Sequence, residues 1–170
     1  AGAMGCLYGA YLSKHNDETM LDVYEPQVEN INKNGITVLE EDGTEQHFSG
    51  IRAMKSGACK EVADLVIVFV KSTHTESSLE ENKDLFGENT LVMTLQNGAG
   101  NDRKIAKYVR TENIIIGTSK HNSVNLGGGK IRHSGNGVTT IGSNLEENTH
   151  LQTVANLLTE AGFQSAVSDD

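Results

Sequence analysis

Apolar and polar positions along the chain alternate between a helical and a strand rhythm. In AMGCLYGAYLSK (3–14), Met4, Leu7, Tyr8, Tyr11 and Leu12 recur at helical spacing, which predicts an amphipathic helix starting at or near Gly2. After the charged break HNDE (15–18), TMLDVYE (19–25) puts Leu21 and Val23 on one face of a strand that ends at Pro26. PQVENINKNG (26–35) predicts a short helix with proline at its start and Gly35 at its stop. ITVLEEDGTEQHFSGIRAM (36–54) alternates around Asp42-Gly43, the strongest local hairpin signal in the chain. ADLVIVFVK (63–71) is a β-branched run suited to a strand buried on both faces. THTESSLEENKDLFG (73–87) reads as a helix stopped by Gly87, TLVMTLQNG (90–98) as a second buried strand, AGNDRKIAKYV (99–109) as a helix and ENIIIGTSKH (112–121) as a further strand. The glycine-punctuated LGGGKIRHSGNGVTTIGS (126–143) predicts antiparallel strands. HLQTVANLLTEAGF (150–163) predicts a helix ended by Gly162, and SAVSDD (165–170) a last strand entering a turn.

Helices alternating with buried apolar strands predict an α/β fold, doubly wound around a mostly parallel sheet with some antiparallel strands. Without internal repeats or a low-complexity linker, residues 1–170 read as one domain. Composition narrows the function classes. Hydrophobic content of 36% and charged content of 22% fit a globular protein, and no apolar run approaches the roughly 20 residues that span a bilayer. The net charge of −9 disfavours nucleic acid, whose binding needs a basic surface. Cys6 and Cys59 are unpatterned and read as reduced thiols of a cytoplasmic protein. The six histidines lack metal-ligand spacing, so no metal site is expected.

The candidate chemistry begins at the first helix. Gly2 and Gly5 match the second and third glycines of a Gly-x-Gly-x-x-Gly turn, with Ala3 and Met4 between them. In that turn one glycine lets a diphosphate approach closely and another lets helix pack on strand, while the helix N-terminus holds the anion. The first glycine would precede Ala1, so one glycine and one strand are expected to lie before the first residue. The strand at 19–25 ends in Glu25, twenty positions after Gly5, near the spacing of a ribose-binding carboxylate; Asp22 is the alternative. A carboxylate there favours NADH over NADPH, and no arginine lies between residues 15 and 51 to hold a 2′-phosphate.

GAMGCLYGAYL, FVKSTHT (69–75), LQNGAG (95–100), IIGTSKHNS (115–123) and GKIRHSGNGVTTIG (129–142) together, in this order, resemble the ketopantoate reductase (2-dehydropantoate 2-reductase) family. The resemblance spans essentially the whole chain. It implies a Rossmann-type cofactor domain followed by a helical second domain, and reduction of the ketone of a 2-oxo acid by NADPH or NADH, as in the formation of pantoate for pantothenate biosynthesis. It also implies roles for individual residues. Lys71 lies beside the cofactor, Asn97 contacts cofactor and substrate, and Thr118, His121 and Ser123 fall in the segment lining the nicotinamide, with Ser123 at a cofactor-contacting position.

The family's general acid is a lysine that opens the second domain, so no catalytic residue is expected within these 170 residues, and alone they are expected to be inactive. Without the resemblance, Lys71 reads as a surface lysine after a strand, Asn97 as a turn residue, His121 as a solvent-facing loop residue and His133 as a strand-surface residue. The expected partner is a small 2-oxo acid, with neither nucleic acid nor membrane involved, and a homodimer is compatible with the chain. Two other classes fit the pattern: another hydroxyacid or glycerol-phosphate dehydrogenase, and a non-catalytic nucleotide-binding module.

Overall fold

The β-branched runs that dominate the middle of the sequence pair side by side. In the computed structural model, which describes residues 1–135 and 137–168, β5 (Leu65–Val68), β6 (Leu91–Thr94) and β7 (Ile114–Ser119) are parallel neighbours. β10 (Thr139–Gly142) pairs antiparallel with β7, and β11 (Ser165–Val167) parallel with β10, giving the order β11-β10-β7-β6-β5. β1 (Thr19–Asp22) and β4 (Arg52–Lys55) form a two-stranded parallel sheet. β2 (Ile36–Leu39), β3 (Glu45–Phe48), β8 (Asn122–Gly127) and β9 (Lys130–Ser134) form a third sheet in the order β3-β2-β9-β8. The helices are α1 (Ala3–Leu12), α2 (Glu25–Asn34), α3 (Thr75–Glu81), α4 (Asn101–Ile105) and α5 (Leu151–Ala161). The expected α/β class with a mainly parallel sheet is therefore the fold observed. The turn expected at Asp169 and Asp170 lies outside the described residues.

Several local expectations need correction. The helix α1 is not amphipathic: every residue from Cys6 to Leu12 is buried. It touches β1, β2, β8, β9 and α5, so it is enclosed on all sides, and a helix in that position is apolar all round. The run 36–54 is two units. Asp42-Gly43 does turn a hairpin, with Gly43 at φ 87° and β2 antiparallel to β3. Arg52–Lys55 instead leaves for β1, where the Asn32 carboxamide holds it by donating to the Ala53 carbonyl and accepting from the Ala53 N–H, both at 2.8 Å. The helix expected over 73–87 breaks at the buried Asn82, whose side chain donates to Ser56 Oγ at 2.8 Å and to the Ser78 carbonyl at 2.9 Å. An amide competing for backbone groups in this way ends a helix without glycine. β5, expected to be buried on both faces, is half-buried at Leu65, Val66 and Ile67, because it forms the edge of its sheet.

The core centres on the two tyrosines of α1. Tyr8 stacks on Phe163 with ring centroids 4.2 Å apart, and Tyr11 packs against Phe163 and Phe48 at 5.0 and 5.8 Å. Gly9 lets neighbouring side chains close on the helix, since a Cβ there would lie 2.8 Å from Met20 Sδ and 3.3 Å from Glu18 Oε1 and those side-chain ends would have to shift. That Glu18 oxygen is buried without a hydrogen-bond partner, and burial pushes the carboxyl up to about 8.

Two outcomes follow from this packing. Phe163→Ala should destabilise the fold by about 3–5 kcal/mol in urea denaturation, since it empties the space between both tyrosines. Between the ordinary carboxylate pKa and 8 the folded state holds a proton on Glu18 that the unfolded chain has lost, so this group removes stability as pH rises through that window. Glu18→Gln should therefore stabilise the protein at pH 8, by on the order of 4 kcal/mol, with the gain vanishing near pH 4.5; a pH-independent difference in melting temperature would contradict this assignment.

Candidate functional site

The N-terminus of α1 opens the site. Gly2 is its N-cap, the first helical bond runs from Cys6 N–H to the Gly2 carbonyl, and no side chain caps the helix. The N–H groups of the first turn are thus left without intrahelical acceptors, and no acidic residue stands among them. A Cβ built on Gly2 meets nothing within 4 Å, so local crowding does not require glycine there. Gly5 has Phe69, the residue after β5, 4.0 Å from its Cβ position. The helix N-terminus therefore sits by the carboxyl end of the parallel sheet, where ligands bind in open α/β folds.

Three neighbouring strands deliver side chains to the same edge. Lys71 follows β5, Asn97 follows β6, and Thr118 to His121 end and follow β7. Lys71, Asn97 and Thr118 are exposed, and among the described residues no hydrogen bond or ion pair engages the Lys71 ammonium or the Asn97 carboxamide. The loops that carry them are tied together by residues that sequence inspection passes over. Gln96 donates to the Val70 carbonyl and, at 2.9 Å, to Thr75 Oγ1, while its oxygen accepts from Thr94 Oγ1 at 2.9 Å. Asn101 donates to the Gly98 carbonyl at 3.2 Å, and Lys104 to the Ser72 carbonyl at 2.9 Å. Only the flanking Gly98 and Gly100, at φ 99° and 91°, hinted at a constrained turn.

The two candidate acids are placed differently. Asp22 ends β1, accepts from the Tyr24 N–H at 2.9 Å, and lies 3.2 Å from the amino group of Ala1. Glu25 opens α2, is exposed, and pairs with Lys55 at 3.3 Å.

The histidines depart from expectation. His133 is not a strand-surface residue and His121 does not face solvent: they are 3% and 7% exposed. β9 pairs His133 with Ser123 of β8. His133 Nδ1 lies 2.7 Å from Glu40 Oε2, His133 Nε2 lies 2.9 Å from His121 Nδ1, and the Tyr11 hydroxyl donates to Glu40 Oε1. Burial depresses the His121 pKa, the neighbouring His133 adds to that, and the Gly135 carbonyl and Glu40 oppose it. The His121 Nε2 and Ser123 Oγ atoms are buried without partners. Beside Glu40 and His133 lies a solvent-open cleft of about 620 Å³, lined by Tyr11, Glu41, Asp42 and Gln46 as well, on another part of the surface from Lys71 and Asn97. Among the described residues no cluster of histidine, cysteine and carboxylate side chains could hold a metal ion, and no helix is long and apolar enough to cross a membrane. Cys6 and Cys59 are free and buried.

The chain is similar in sequence and fold to known proteins. The family model described as ketopantoate reductase PanE/ApbA matches residues 1–146. The 2-dehydropantoate 2-reductase of Lactococcus lactis subsp. lactis is 32% identical over 175 residues, and that of Streptococcus pyogenes serotype M1 is 30% identical over 172; each match takes in 100% of this chain and 55% of the relative. The chain thus spans about half the length of the curated relatives it matches. Among solved structures, D-mandelate dehydrogenase with NADH and anilino(oxo)acetate superposes with a TM-score of 0.91 at 27% identity, covering 99% of this chain and 55% of that one. The 2-dehydropantoate 2-reductase of Geobacter metallireducens GS-15 gives 0.90 at 28% identity, covering 100% and 56%. By its sequence and by its fold, the chain belongs to the ketopantoate reductase family.

Proposed function

We propose that the chain is the cofactor-binding part of an NAD(P)H-dependent reductase that converts the ketone of a 2-oxo acid, such as 2-dehydropantoate, to the 2-hydroxy acid. The observation that carries this reading is the uncapped N-terminus of α1 beside the strand end of β5, with Lys71 and Asn97 emerging unpaired from adjacent strands. The family membership supports it, and so does the NADH-bound D-mandelate dehydrogenase, a structural neighbour that names a 2-hydroxy acid enzyme.

The residues present fit a nicotinamide dinucleotide. The free N–H groups from Gly2 to Gly5 suit a diphosphate, and the open space at the Gly2 Cβ position is room that a side chain would fill. Asp22, the last residue of β1, stands at the strand end where a ribose hydroxyl is accepted, whereas Glu25 already belongs to α2; each carries an ion pair, Asp22 with the Ala1 amino group at 3.2 Å and Glu25 with Lys55 at 3.3 Å. Lys71 contributes a positive charge at the crevice. The Asn97 carboxamide can donate to a carboxylate or carbonyl oxygen and accept from a hydroxyl, which positions a substrate without ionising. Thr118 and Ser123 complete the nicotinamide side. The bound cofactor supplies the hydride; the residues of this chain hold it and orient the substrate, and the proton donor is the lysine that the family resemblance assigns outside the 170 residues.

Binding and turnover check these assignments separately. Gly2→Val should cost about 1 kcal/mol or less in stability, yet weaken NADH binding at least tenfold by calorimetry, a loss of about 1.4 kcal/mol. Equal affinity in the variant would remove the diphosphate from this helix. NADH should be preferred to NADPH; Asp22→Asn should narrow the preference, while Glu25→Gln leaves it unchanged. The reverse pattern would hand the ribose to Glu25. Consumption of NADH or NADPH by the intact protein with 2-dehydropantoate, 2-oxoisovalerate or phenylglyoxylate tests the reaction, and failure with all three would overturn it.

A further inference from the structure

The ladder between β5 and β6 ends at the pair Val68 and Thr94. Two residues further along each chain, the Gln96 carboxamide donates to the Val70 carbonyl. A side-chain N–H thus stands in for the backbone bond that a longer ladder would have made, and it ties the two loops together where they separate. The same nitrogen donates to Thr75 Oγ1 at 2.9 Å, and the amide oxygen accepts from Thr94 Oγ1 at 2.9 Å. Thr75 and Thr94 are buried, so the carboxamide is anchored in the interior. Both of its N–H groups and its oxygen are engaged, which fixes its orientation: a reversed amide would set its oxygen against the Val70 carbonyl.

The backbone on each side of this amide is held while the neighbouring side chains are free. Around Lys71, three successive carbonyls are occupied. That of Val70 accepts from Gln96, that of Lys71 from the His74 N–H at 2.7 Å, and that of Ser72 from Lys104 Nζ at 2.9 Å. Around Asn97, the Gln96 N–H donates to Thr94 Oγ1 at 3.2 Å, and the Gly98 carbonyl accepts from Asn101 at 3.2 Å. Gly98 and Gly100, at φ 99° and 91°, give this turn little stiffness of its own. Gln96 adjoins Asn97 in the chain and is bonded next to Lys71 in space. Neither the Lys71 ammonium nor the Asn97 carboxamide has a partner among the described residues.

We propose that Gln96 is a positioning residue of the cofactor site: its carboxamide sets the separation of the Lys71 and Asn97 loops, and it acts through those two side chains. The role rests on the reading of that site given above. Its chemistry is specific to glutamine. A carboxylate cannot donate to the Val70 carbonyl, and asparagine is one methylene shorter. The neutral amide also fixes the loops without a charge that would compete for the Lys71 ammonium.

A double-mutant cycle on the intact protein, with NADH affinity measured by calorimetry at pH 7.5, tests this role. Asn97→Ala should weaken NADH binding at least tenfold in the unaltered background. Gln96→Met keeps the length of the side chain and removes its hydrogen bonds, and it should weaken binding at least fivefold. Adding Asn97→Ala to Gln96→Met should then cost threefold or less, because the Asn97 carboxamide has already lost its place. The full tenfold loss in both backgrounds would show that Gln96 supports the fold without positioning Asn97, and the role would be overturned. Gln96→Glu keeps the acceptor for Thr94 Oγ1 and loses the donor to Val70, so it should uncouple Asn97 in the same way. An NADH affinity in Gln96→Glu equal to that of the unaltered protein would overturn the role even if Gln96→Met did not fold. Failure of the underlying reading looks different. There the unaltered protein does not bind NADH, or Asn97→Ala costs nothing before Gln96 is changed, and the positioning role falls with it.

Discussion

A helix with no solvent face governs the rest of the structure. Once Cys6 to Leu12 are buried on all sides, the two phenol hydroxyls that α1 carries must find partners inside the protein. Tyr8 finds Ser119 Oγ at 2.8 Å and Thr139 Oγ1 at 2.7 Å, at the paired ends of β7 and β10. Tyr11 finds Glu40, just beyond β2, which in turn holds His133 of β9. One helix thereby fixes two sheets to each other through a single turn of its length. Because a helix moves as a rigid rod, the same bonds fix its N-terminus, at Gly2, relative to the ends of β5, β6 and β7. Placement of the candidate diphosphate site is a consequence of core chemistry elsewhere.

Rigidity at the strand ends is built separately, and from neutral groups. Gln96, Asn101 and Thr75 hold the loops after β5 and β6 by hydrogen bonds to backbone and to one another. These amides and hydroxyls add no charge to a region where Lys71 is exposed and unpaired. The ion pairs lie mostly on the outside: Lys60 with Asp84, Lys83 with Glu80, and Lys107 with Glu76 are each more than half exposed at the lysine. Pairs in that position are screened by water and salt, so they do not set the fold.

What was legible in the sequence follows from range. The strands of ADLVIVFVK, TLVMTLQNG and ENIIIGTSKH announce themselves by β-branched runs, and Gly35, Asp42-Gly43 and Gly162 mark turns through backbone demands that act within a few residues. The edge carrying Lys71 and Asn97 was legible for the same reason, as each follows directly from a strand end. The environment of α1 was not, because MGCLYGAYL has the spacing of a one-faced helix and only the third sheet, formed from residues 36–48 and 122–134, covers the other face. His133 alternates with polar residues and looks like surface; its burial depends on Glu40, 93 positions away, and on Tyr11, 122 positions away. No local rule carries that information. Asn82 likewise reads as one polar residue in a polar helix until Ser56 and Gly57 come to meet it.

A second distinction cuts across the first. Most buried polar side chains here are fully engaged: Thr90 with two carbonyls, Asn82 with three groups, Tyr8 with two hydroxyls. At the start of α1 and the carboxyl ends of β5 and β6, the first-turn amides, the Lys71 ammonium and the Asn97 carboxamide have no partner among the described residues. Four buried side-chain atoms among the described residues also lack one: His121 Nε2 and Ser123 Oγ, which follow β7, and Glu18 Oε1 and Asn30 Nδ2, which lie elsewhere. Glu18 meets its isolation with a carboxyl that burial pushes up to about 8. Stability comes from the places where buried donors have met acceptors, and the unpaired groups at the strand ends are those that the proposed cofactor site uses.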